Sequence, residues 1–245
     1  MDRMLYVAMT GAKETLRAQT VNNHNLANVS TTGFRADLAA FQSRAVDGTG
    51  YASRVYATNG TVGWDSNSGA ILSTGRDLDI AVNGPGWIAI QGPDGKEAYT
   101  RAGDLQVDAT GQLMTSSGRP VLGDGGPINI PPYTSIFFAR DGSISIVAQG
   151  QTPDTTSTVA RVKLVNPAES DIVRGDDGLF RMKDGSEAPP DAAVQVSSGE
   201  LESSNVNAAA AMVNMIELAR QFEMQVKAIR TAEENGSAAS QLLRV

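Results

Sequence analysis

The feature that most constrains the fold is a helical stretch at the C-terminal end of the chain. From Asn205 to Glu234 the sequence has no glycine or proline, and apolar side chains recur at alternating spacings of three and four residues. This apolar seam consists of Met212, Met215, Ala219, Phe222, Val226 and Ile229. Heptad spacing predicts a long helix with one apolar face, and either Asn205 or Asn207 is a suitable N-cap.

A second helical stretch occupies residues 2–27, which contain no proline and one glycine, Gly11. Its seam consists of Leu5, Met9, Ala12, Leu16 and, after two polar positions, Leu26. Neither seam can be shielded from water by its own helix, so we expect the two helices to pair as a coiled coil. The pattern leaves one alternative open, in which both helices pack onto the middle of the chain.

The middle of the chain predicts short strands separated by turns. Glycine, aspartate and proline recur between runs of β-forming residues, as at Pro93-Asp94-Gly95 and Asp141-Gly142, which favours antiparallel pairing. The predicted strands are Trp87–Gln91, Glu97–Arg101, Leu105–Val107, Gln112–Thr115, Pro120–Leu122, Ser135–Ala139, Ser143–Ala148, Arg161–Asn166 and Leu179–Met182.

The predicted fold class is therefore α+β, with long terminal helices paired as a coiled coil around a mostly antiparallel β-domain. We divide the chain into four segments: a helix and turn over 1–34, an irregular linker over 35–74, the β-rich domain over 75–198, and the second helix over 199–245. The linker is assigned because residues 46–74 are rich in glycine, serine, threonine and asparagine and show no clear period.

Composition excludes several classes of function. Twenty Lys and Arg against 27 Asp and Glu give a net charge of −7 without a basic block, so nucleic-acid binding is not expected. The chain has no cysteine and one histidine, His24, which argues against thiol chemistry, a zinc site and a Ser-His-Asp relay. We predict no enzyme activity, no cofactor, no metal and no small-molecule substrate.

Two weaker readings remain open. Carboxylate pairs such as Asp77 with Asp79 could serve a hydrolase, although aspartates in turns are favoured for their backbone hydrogen bonds. Arg174-Gly175-Asp176 spells a tripeptide found in adhesion proteins, although three common turn residues match often by chance.

Two motifs at the ends of the chain resemble those of the bacterial flagellar rod and hook family. The first runs from Asn25 to Arg35 and reads NLANVSTTGFR, and the second runs from Gly199 to Val206 and reads GELESSNV. The motif residues that the resemblance marks are Asn25, Leu26, Ala27, Asn28, Thr32, Gly33, Phe34, Leu201, Glu202, Ser204, Asn205 and Val206. Asn23 and His24 depart from the usual family sequence, which has alanine and asparagine there.

The resemblance implies a structural subunit of the flagellar basal-body rod. Its partners would be other rod subunits and copies of itself, and its terminal helices would form an inner layer beneath an outer β-domain. It would be exported by the flagellar type III apparatus to the periplasmic rod, and Lys13, Glu14 and Arg17 interrupt any secretory-signal core. Residues 220–227 resemble the proximal-rod branch, with the distal-rod branch, a secreted adhesin or a cell-wall hydrolase as alternatives.

Overall fold

A computed structural model describes residues 3–45, 55–152 and 155–242. The chain divides into two compact units. The first, which we call the helical unit, comprises Met1–Val29, Ala36–Asp65 and Val206–Val245. The second, which we call the β unit, comprises Ser30–Arg35 and Ser66–Asn205. No helix in the described ranges has the length and apolar character needed to cross a membrane.

The helical unit contains two helices and a hairpin. Its elements are α1 (Arg3–Ala27), β1 (Asp37–Ala45), β2 (Val55–Trp64) and α2 (Ala208–Leu242). Strands β1 and β2 pair antiparallel, from Asp37 opposite Trp64 to Ala45 opposite Val55, with a bulge between Leu38 and Ala39. Segment 35–74, expected to be an irregular linker, thus contains a regular hairpin.

The two helices of this unit pack antiparallel. The side-chain amide of Asn22 donates a hydrogen bond to the carbonyl of Ala211 at 2.8 Å. Nearer the start of α1, a Cβ atom on Gly11 would lie only 3.0 Å from Cδ of Gln225, so the helices approach closely there. Helix α2 is capped by Asn207, whose side-chain oxygen accepts a hydrogen bond from the amide of Ala210 at 3.1 Å.

The predicted coiled coil is wrong. A helix of 25 residues such as α1 is about 37 Å long, a small part of a superhelical turn of about 150 Å. The side chains of α1 that are buried are mostly small, namely Ala8, Ala12, Thr15 and Ala18. By contrast, Met9 and Leu16 of the predicted seam are 51% and 46% exposed. Small side chains allow close approach of the backbones, and a pattern search based on large apolar residues gives them little weight.

The β unit is built from short antiparallel strands. They are β3 (Ile71–Ser73), β4 (Ile80–Asn83), β5 (Trp87–Gln91), β6 (Glu97–Thr100), β7 (Leu105–Val107), β8 (Leu113–Thr115), β9 (Leu122–Gly123), β10 (Gly126–Pro127), β11 (Tyr133–Phe138), β12 (Ser143–Ala148), β13 (Ser157–Arg161), β14 (Leu164–Val165), β15 (Ile172–Arg174), β16 (Phe180–Met182), β17 (Gln195–Ser198) and β18 (Glu200–Glu202). A 3₁₀ turn, Glu169–Asp171, precedes β15.

These strands form one five-stranded sheet, one three-stranded sheet and several two-stranded ribbons. The larger sheet has the order β14-β5-β6-β16-β15, and the smaller has the order β11-β12-β13. Their inward side chains form one apolar cluster that includes Ile88, Ile90, Leu105, Ile144 and Ile146. The predicted strands at 87–91, 105–107 and 143–148 are confirmed with the predicted bounds. The predicted antiparallel pairing is also found, although β14 and β16 join the large sheet from distant parts of the chain.

Candidate assembly site

The helical unit exposes large apolar side chains on both of its helices. Large apolar side chains that a folded unit leaves exposed favour binding to other proteins, because burial of each one contributes about 1.5 to 3 kcal/mol. On α1 and α2 the exposed residues are Met4, Tyr6, Val7, Met9, Leu16, Met212, Val213, Ile216 and Met224. These side chains constitute the candidate assembly surface.

The residues of the predicted seams have different environments. Ala12 is buried within the unit, whereas Met9, Leu16 and Met212 are exposed and belong to the assembly surface. The others are half-buried: Leu5, Leu26, Met215, Ala219, Phe222, Val226 and Ile229. Sequence patterns missed Val7, Val213, Ile216 and Met224, because these residues lie off the heptad positions. That the seam residues contact other subunits stays a prediction.

In the first motif, Asn25 connects α1 to the hairpin. Its side-chain nitrogen donates to the carbonyl of Asp37 at 2.9 Å, and its side-chain oxygen accepts from the amide of Asp37 at 2.8 Å. The motif residue Asn28 donates to the carbonyl of His24 at 2.9 Å. His24 itself lies 2.8 Å from the carboxylate of Asp37. These contacts fix the end of α1 against the first residue of β1.

Gly33 in the same motif occupies a turn that requires glycine. Its φ angle is +67°, and a Cβ atom there would lie 2.3 Å from the carbonyl carbon of Arg101. The amide of Gly33 donates to the carbonyl of Glu202 at 2.8 Å, which connects it to the second motif. The next residue, Phe34, is buried, and the guanidinium of Arg174 lies 4.5 Å from the centre of its ring.

The two motifs meet at a buried charge network in the β unit. Glu202 accepts hydrogen bonds from Arg35 at 2.5 Å and from Arg101 at 3.0 Å, and the amide of Gly69 donates to it at 2.9 Å. Neither Arg35 nor Glu202 has any exposed side-chain surface. Arg101 also donates to the carbonyl of Gly84 at 2.6 Å. The resemblance marked Glu202, but the sequence did not indicate Arg101 as its partner.

Burial determines the electrostatics of this network. Desolvation lowers the pKa of Arg101 from its ordinary value, the carboxylate of Glu202 opposes that shift, and the like charge of Arg35 adds to it. Two guanidinium groups and one carboxylate are therefore held together away from water. The loss of any one partner would leave an uncompensated buried charge, so the fold is sensitive to the removal of each of these side chains.

The rest of the second motif leads into α2. Leu201 lies opposite Leu72 in the ribbon of β18 with β3. Ser204 is buried, and the amide of Asn205 donates to the carbonyl of Phe34 at 3.3 Å while its side chain donates to the carbonyl of Asn67. We call residues 30–35 together with residues 201–205 the motif junction. The remaining motif residues Leu26, Thr32 and Val206 are half-buried, and Ala27 is exposed.

The described residues give little support to a metal site or to an adhesion motif. Within those ranges no group of three His, Asp or Glu side chains is arranged to hold a metal ion. The guanidinium of Arg174 in the adhesion-like tripeptide is engaged, since it donates to the carbonyl of Arg35 at 2.9 Å and lies over Phe34. Two features of the described residues are therefore the candidates for a functional role: the exposed assembly surface of the helical unit and the buried motif junction.

Comparison with known proteins identifies the family. Residues 197–242 match the family described as flagellar basal body rod FlgEFG protein C-terminal, and residues 81–151 match the flagellar hook protein FlgE/F/G D1 domain. The chain is 45% identical over 249 residues to flagellar basal-body rod protein FlgF of Escherichia coli, and equally identical to that of Salmonella typhimurium; the alignments cover 99% of each chain. It is 34% identical to flagellar basal-body rod protein FlgG of Bacillus subtilis over 96% of each chain. The resemblance inferred from the terminal motifs is confirmed, and the chain belongs to the flagellar basal-body rod protein family.

Proposed function

We propose that this chain is a structural subunit of the proximal part of the flagellar rod, joined to other rod subunits and to copies of itself. The exposed apolar surface of the helical unit carries this proposal. Ile216 and Met224 on α2 are 56% and 62% exposed, and Met9 on α1 is 51% exposed. A subunit that is covered on these faces by neighbours gains burial that the isolated chain lacks.

The FlgF-like branch is favoured over the FlgG-like branch by sequence similarity. The two FlgF relatives named above are 45% identical to this chain, whereas FlgG of Buchnera aphidicola from Acyrthosiphon pisum is 35% identical. Our assignment to the proximal rod depends on this difference and on the RQFEMQVK sequence at residues 220–227. The distal rod is the alternative within the same family.

The proposed role needs surfaces rather than reactive groups. It requires no catalytic residue, cofactor or small-molecule substrate. We further propose that the subunit reaches the periplasmic section of the basal body through the flagellar type III export apparatus. The flexible methionine side chains of the assembly surface suit a shaft in which one subunit type meets inequivalent neighbours.

The experiment that tests this proposal is the isolation of hook-basal bodies from cells that express the chain from its own locus. Mass spectrometry is expected to detect the chain, and gold labelling of a tag in the exposed turn at Asp124-Gly125 is expected to mark the rod near its inner end. Label near the outer end would favour the distal rod. Finding the chain only in the culture medium would contradict a rod function and favour an adhesin.

A turnover assay on purified cell-wall sacculi tests the remaining alternative. The proposed function predicts no release of soluble fragments above a buffer control. Fragment release that disappears on mutation of clustered carboxylates would instead support a hydrolase.

A further inference from the structure

Methionine is distributed unevenly between the two units of the chain. Six of the eight methionines belong to the residues of the helical unit, and two, Met114 and Met182, belong to the β unit, where both are half-buried. Among the described residues, the exposed methionines all lie on the two helices, namely Met4, Met9, Met212 and Met224. The assembly surface therefore carries the thioether groups that solvent reaches most easily.

The thioether of an exposed methionine is a site of oxidation by peroxides. A lone pair of the sulfur forms a bond to one oxygen of hydrogen peroxide, the oxygen–oxygen bond breaks, and the second oxygen leaves as water with both hydrogens. The sulfur loses two electrons and the peroxide gains them, so the products are one methionine sulfoxide and one water. Because the chain has no cysteine, its thioethers are the sulfur groups that a peroxide can oxidise.

Two of the exposed methionines lie where the helices approach each other closely. A Cβ atom on Gly11 would lie 3.0 Å from Cδ of Gln225. Met9 precedes Gly11 by two residues, and Met224 directly precedes Gln225. Met9 and Met224 are therefore at one level of the antiparallel pair, one on each helix. Oxidation of both would place two polar oxygens at this level of the assembly surface.

A sulfoxide changes what this surface can bind. The unmodified side chain is apolar, unbranched and flexible, which suits it to pack against another apolar surface. The sulfoxide is polar, and its burial against apolar groups without a hydrogen-bond donor is unfavourable. Conversion of a thioether to a sulfoxide therefore opposes the burial on which assembly depends.

The same reaction is expected to leave the fold of the isolated chain intact. The buried side chains of α1 include Ala8, Ala12 and Ala18, which a peroxide does not modify. The exposed methionines contribute little burial within their own chain, so a change of their polarity has little effect on the free energy of unfolding. Oxidation thus acts on binding rather than on folding.

We propose that Met4, Met9, Met212 and Met224 constitute an oxidation site on the unassembled subunit, where peroxide converts the thioethers to sulfoxides and so blocks incorporation into the rod. This inference rests on the proposed rod function and adds a chemical control of assembly to it. Reduction of each sulfoxide by two thiols of a methionine sulfoxide reductase returns the thioether, with one disulfide and one water as the other products. The block is therefore reversible.

Peptide mapping of the purified full chain after treatment with hydrogen peroxide tests the site itself. Mass spectrometry measures the fraction of sulfoxide at each methionine as a function of time. The four exposed methionines are expected to oxidise several-fold faster than Met114 and Met182, with no change in the midpoint of thermal unfolding. Equal rates in the two groups would overturn the proposal, as would unfolding of the oxidised chain. This measurement does not depend on the rod function.

Incorporation after oxidation tests the consequence. Cells that lack methionine sulfoxide reductase express the wild-type chain or a variant that combines Met4→Leu, Met9→Leu, Met212→Leu and Met224→Leu, since leucine has a similar volume. Newly made chain is labelled during a short peroxide pulse, and its amount in purified basal bodies is divided by the amount from untreated cells of the same strain. This ratio is expected to fall several-fold for the wild-type chain and less for the variant. The matched control combines Met114→Leu with Met182→Leu and is expected to behave like the wild-type chain.

Glutamine provides a measurement without peroxide, because its side chain is unbranched and ends in a polar group. Met224→Gln is expected to reduce incorporation several-fold, and Met224→Leu is expected to reduce it less. Equal ratios for the wild-type chain and the four-leucine variant overturn the proposal, as does full incorporation of Met224→Gln. In either case the untreated wild-type chain is still found in basal bodies, whereas its absence there would contradict the rod function itself.

Discussion

Nη1 of Arg35 lies 2.5 Å from Oε1 of Glu202, and both side chains are fully buried. These residues are separated by 167 positions in the sequence and belong to the two terminal motifs. The peptide amide of Gly33 also donates to the carbonyl of Glu202 at 2.8 Å. The segment that follows α1 and the segment that precedes α2 are therefore held to each other within the β unit.

The first prediction concerns the charge of Glu202. Glu202→Gln leaves the two buried guanidinium groups of Arg35 and Arg101 without a counter-charge and is expected to lower the free energy of unfolding by about 3 to 5 kcal/mol. Urea unfolding of the full chain, followed by tryptophan fluorescence, measures the change. The control is Glu200→Gln in the same strand, where the side chain is half-buried and the loss is expected to be below about 1 kcal/mol. Equal losses in both variants would contradict the importance of the network.

The second prediction compares two glycines with similar backbone angles. Gly33 has a φ of +67° and Gly95 has a φ of +75°, so alanine is strained at both positions. At Gly33 the added methyl group would also lie 2.3 Å from the backbone of Arg101, whereas nothing lies within 4 Å of it at Gly95. Gly95→Ala is expected to cost about 1 to 2 kcal/mol, and Gly33→Ala clearly more. Thermal unfolding measures both, and a smaller effect at Gly33 would contradict the close contact.

The sequence predicted the importance of the motif junction but not its contacts. The end motifs marked Gly33 and Glu202 through a resemblance, and turn chemistry located several strands of the β unit with correct bounds. The pairing of Arg35 with Glu202 has no local signal, because it depends on how distant strands associate. Arg101 was missed for the same reason, since it lies at the end of a predicted strand and looks like an exposed charge.

The helical unit was predicted less well, and the cause is physical. A search for heptads favours large side chains, so it selected Met9 and Leu16 on α1. The small side chains that are buried there are those of Ala8, Ala12, Thr15 and Ala18, and of these only Ala12 lay on the predicted seam, because small side chains contribute little to an apolar pattern. Large apolar residues that a folded unit leaves exposed are available for contacts with other molecules. A single sequence does not show whether a large apolar residue is buried within its own chain or exposed for such contacts.

The third prediction concerns Asn25, whose side chain bonds both backbone groups of Asp37. Asn25→Ala removes the two hydrogen bonds and is expected to cost about 1 to 3 kcal/mol, and to increase amide exchange at the start of β1. Hydrogen exchange with mass spectrometry measures the local effect. Asn23→Ala serves as the control because Asn23 is exposed on the same helix. If exchange at residues 37–39 is the same in both variants, Asn25 does not hold the hairpin.

The fourth prediction concerns stability in acid. Arg181 donates to both carboxylate oxygens of Asp177, at 2.9 and 2.6 Å, and these bonds hold the pKa of Asp177 below its ordinary value. The folded state therefore binds this proton more weakly than the unfolded state, whose aspartate pKa is about 3.9. The stabilisation is complete above that pH and is lost as the pH falls through the folded-state pKa.

Asp177→Asn is therefore expected to reduce stability at pH 7 and to flatten the decline in stability as the pH falls below the ordinary aspartate pKa of about 3.9. Urea unfolding at a series of pH values measures this dependence. Asp176→Asn, at an exposed neighbouring position, changes the formal charge equally and is the control. A decline with pH that is as steep in Asp177→Asn as in the wild-type chain would exclude the Asp177–Arg181 pair as its source.

The fifth prediction separates assembly from folding. Ile216 is 56% exposed on α2, so Ile216→Asp removes little burial within the chain and is expected to change the free energy of unfolding by less than about 1 kcal/mol. If this face of α2 is covered by a neighbouring subunit, the same change buries an unpaired carboxylate at the interface and blocks incorporation into basal bodies. Val173→Asp, 48% exposed in the β unit, is the control for charge and exposure. Quantifying each variant in purified basal bodies, alongside thermal unfolding of the isolated chain, gives both readouts. Normal incorporation and motility of the Ile216 variant would mean that this face stays exposed to solvent in the assembled rod.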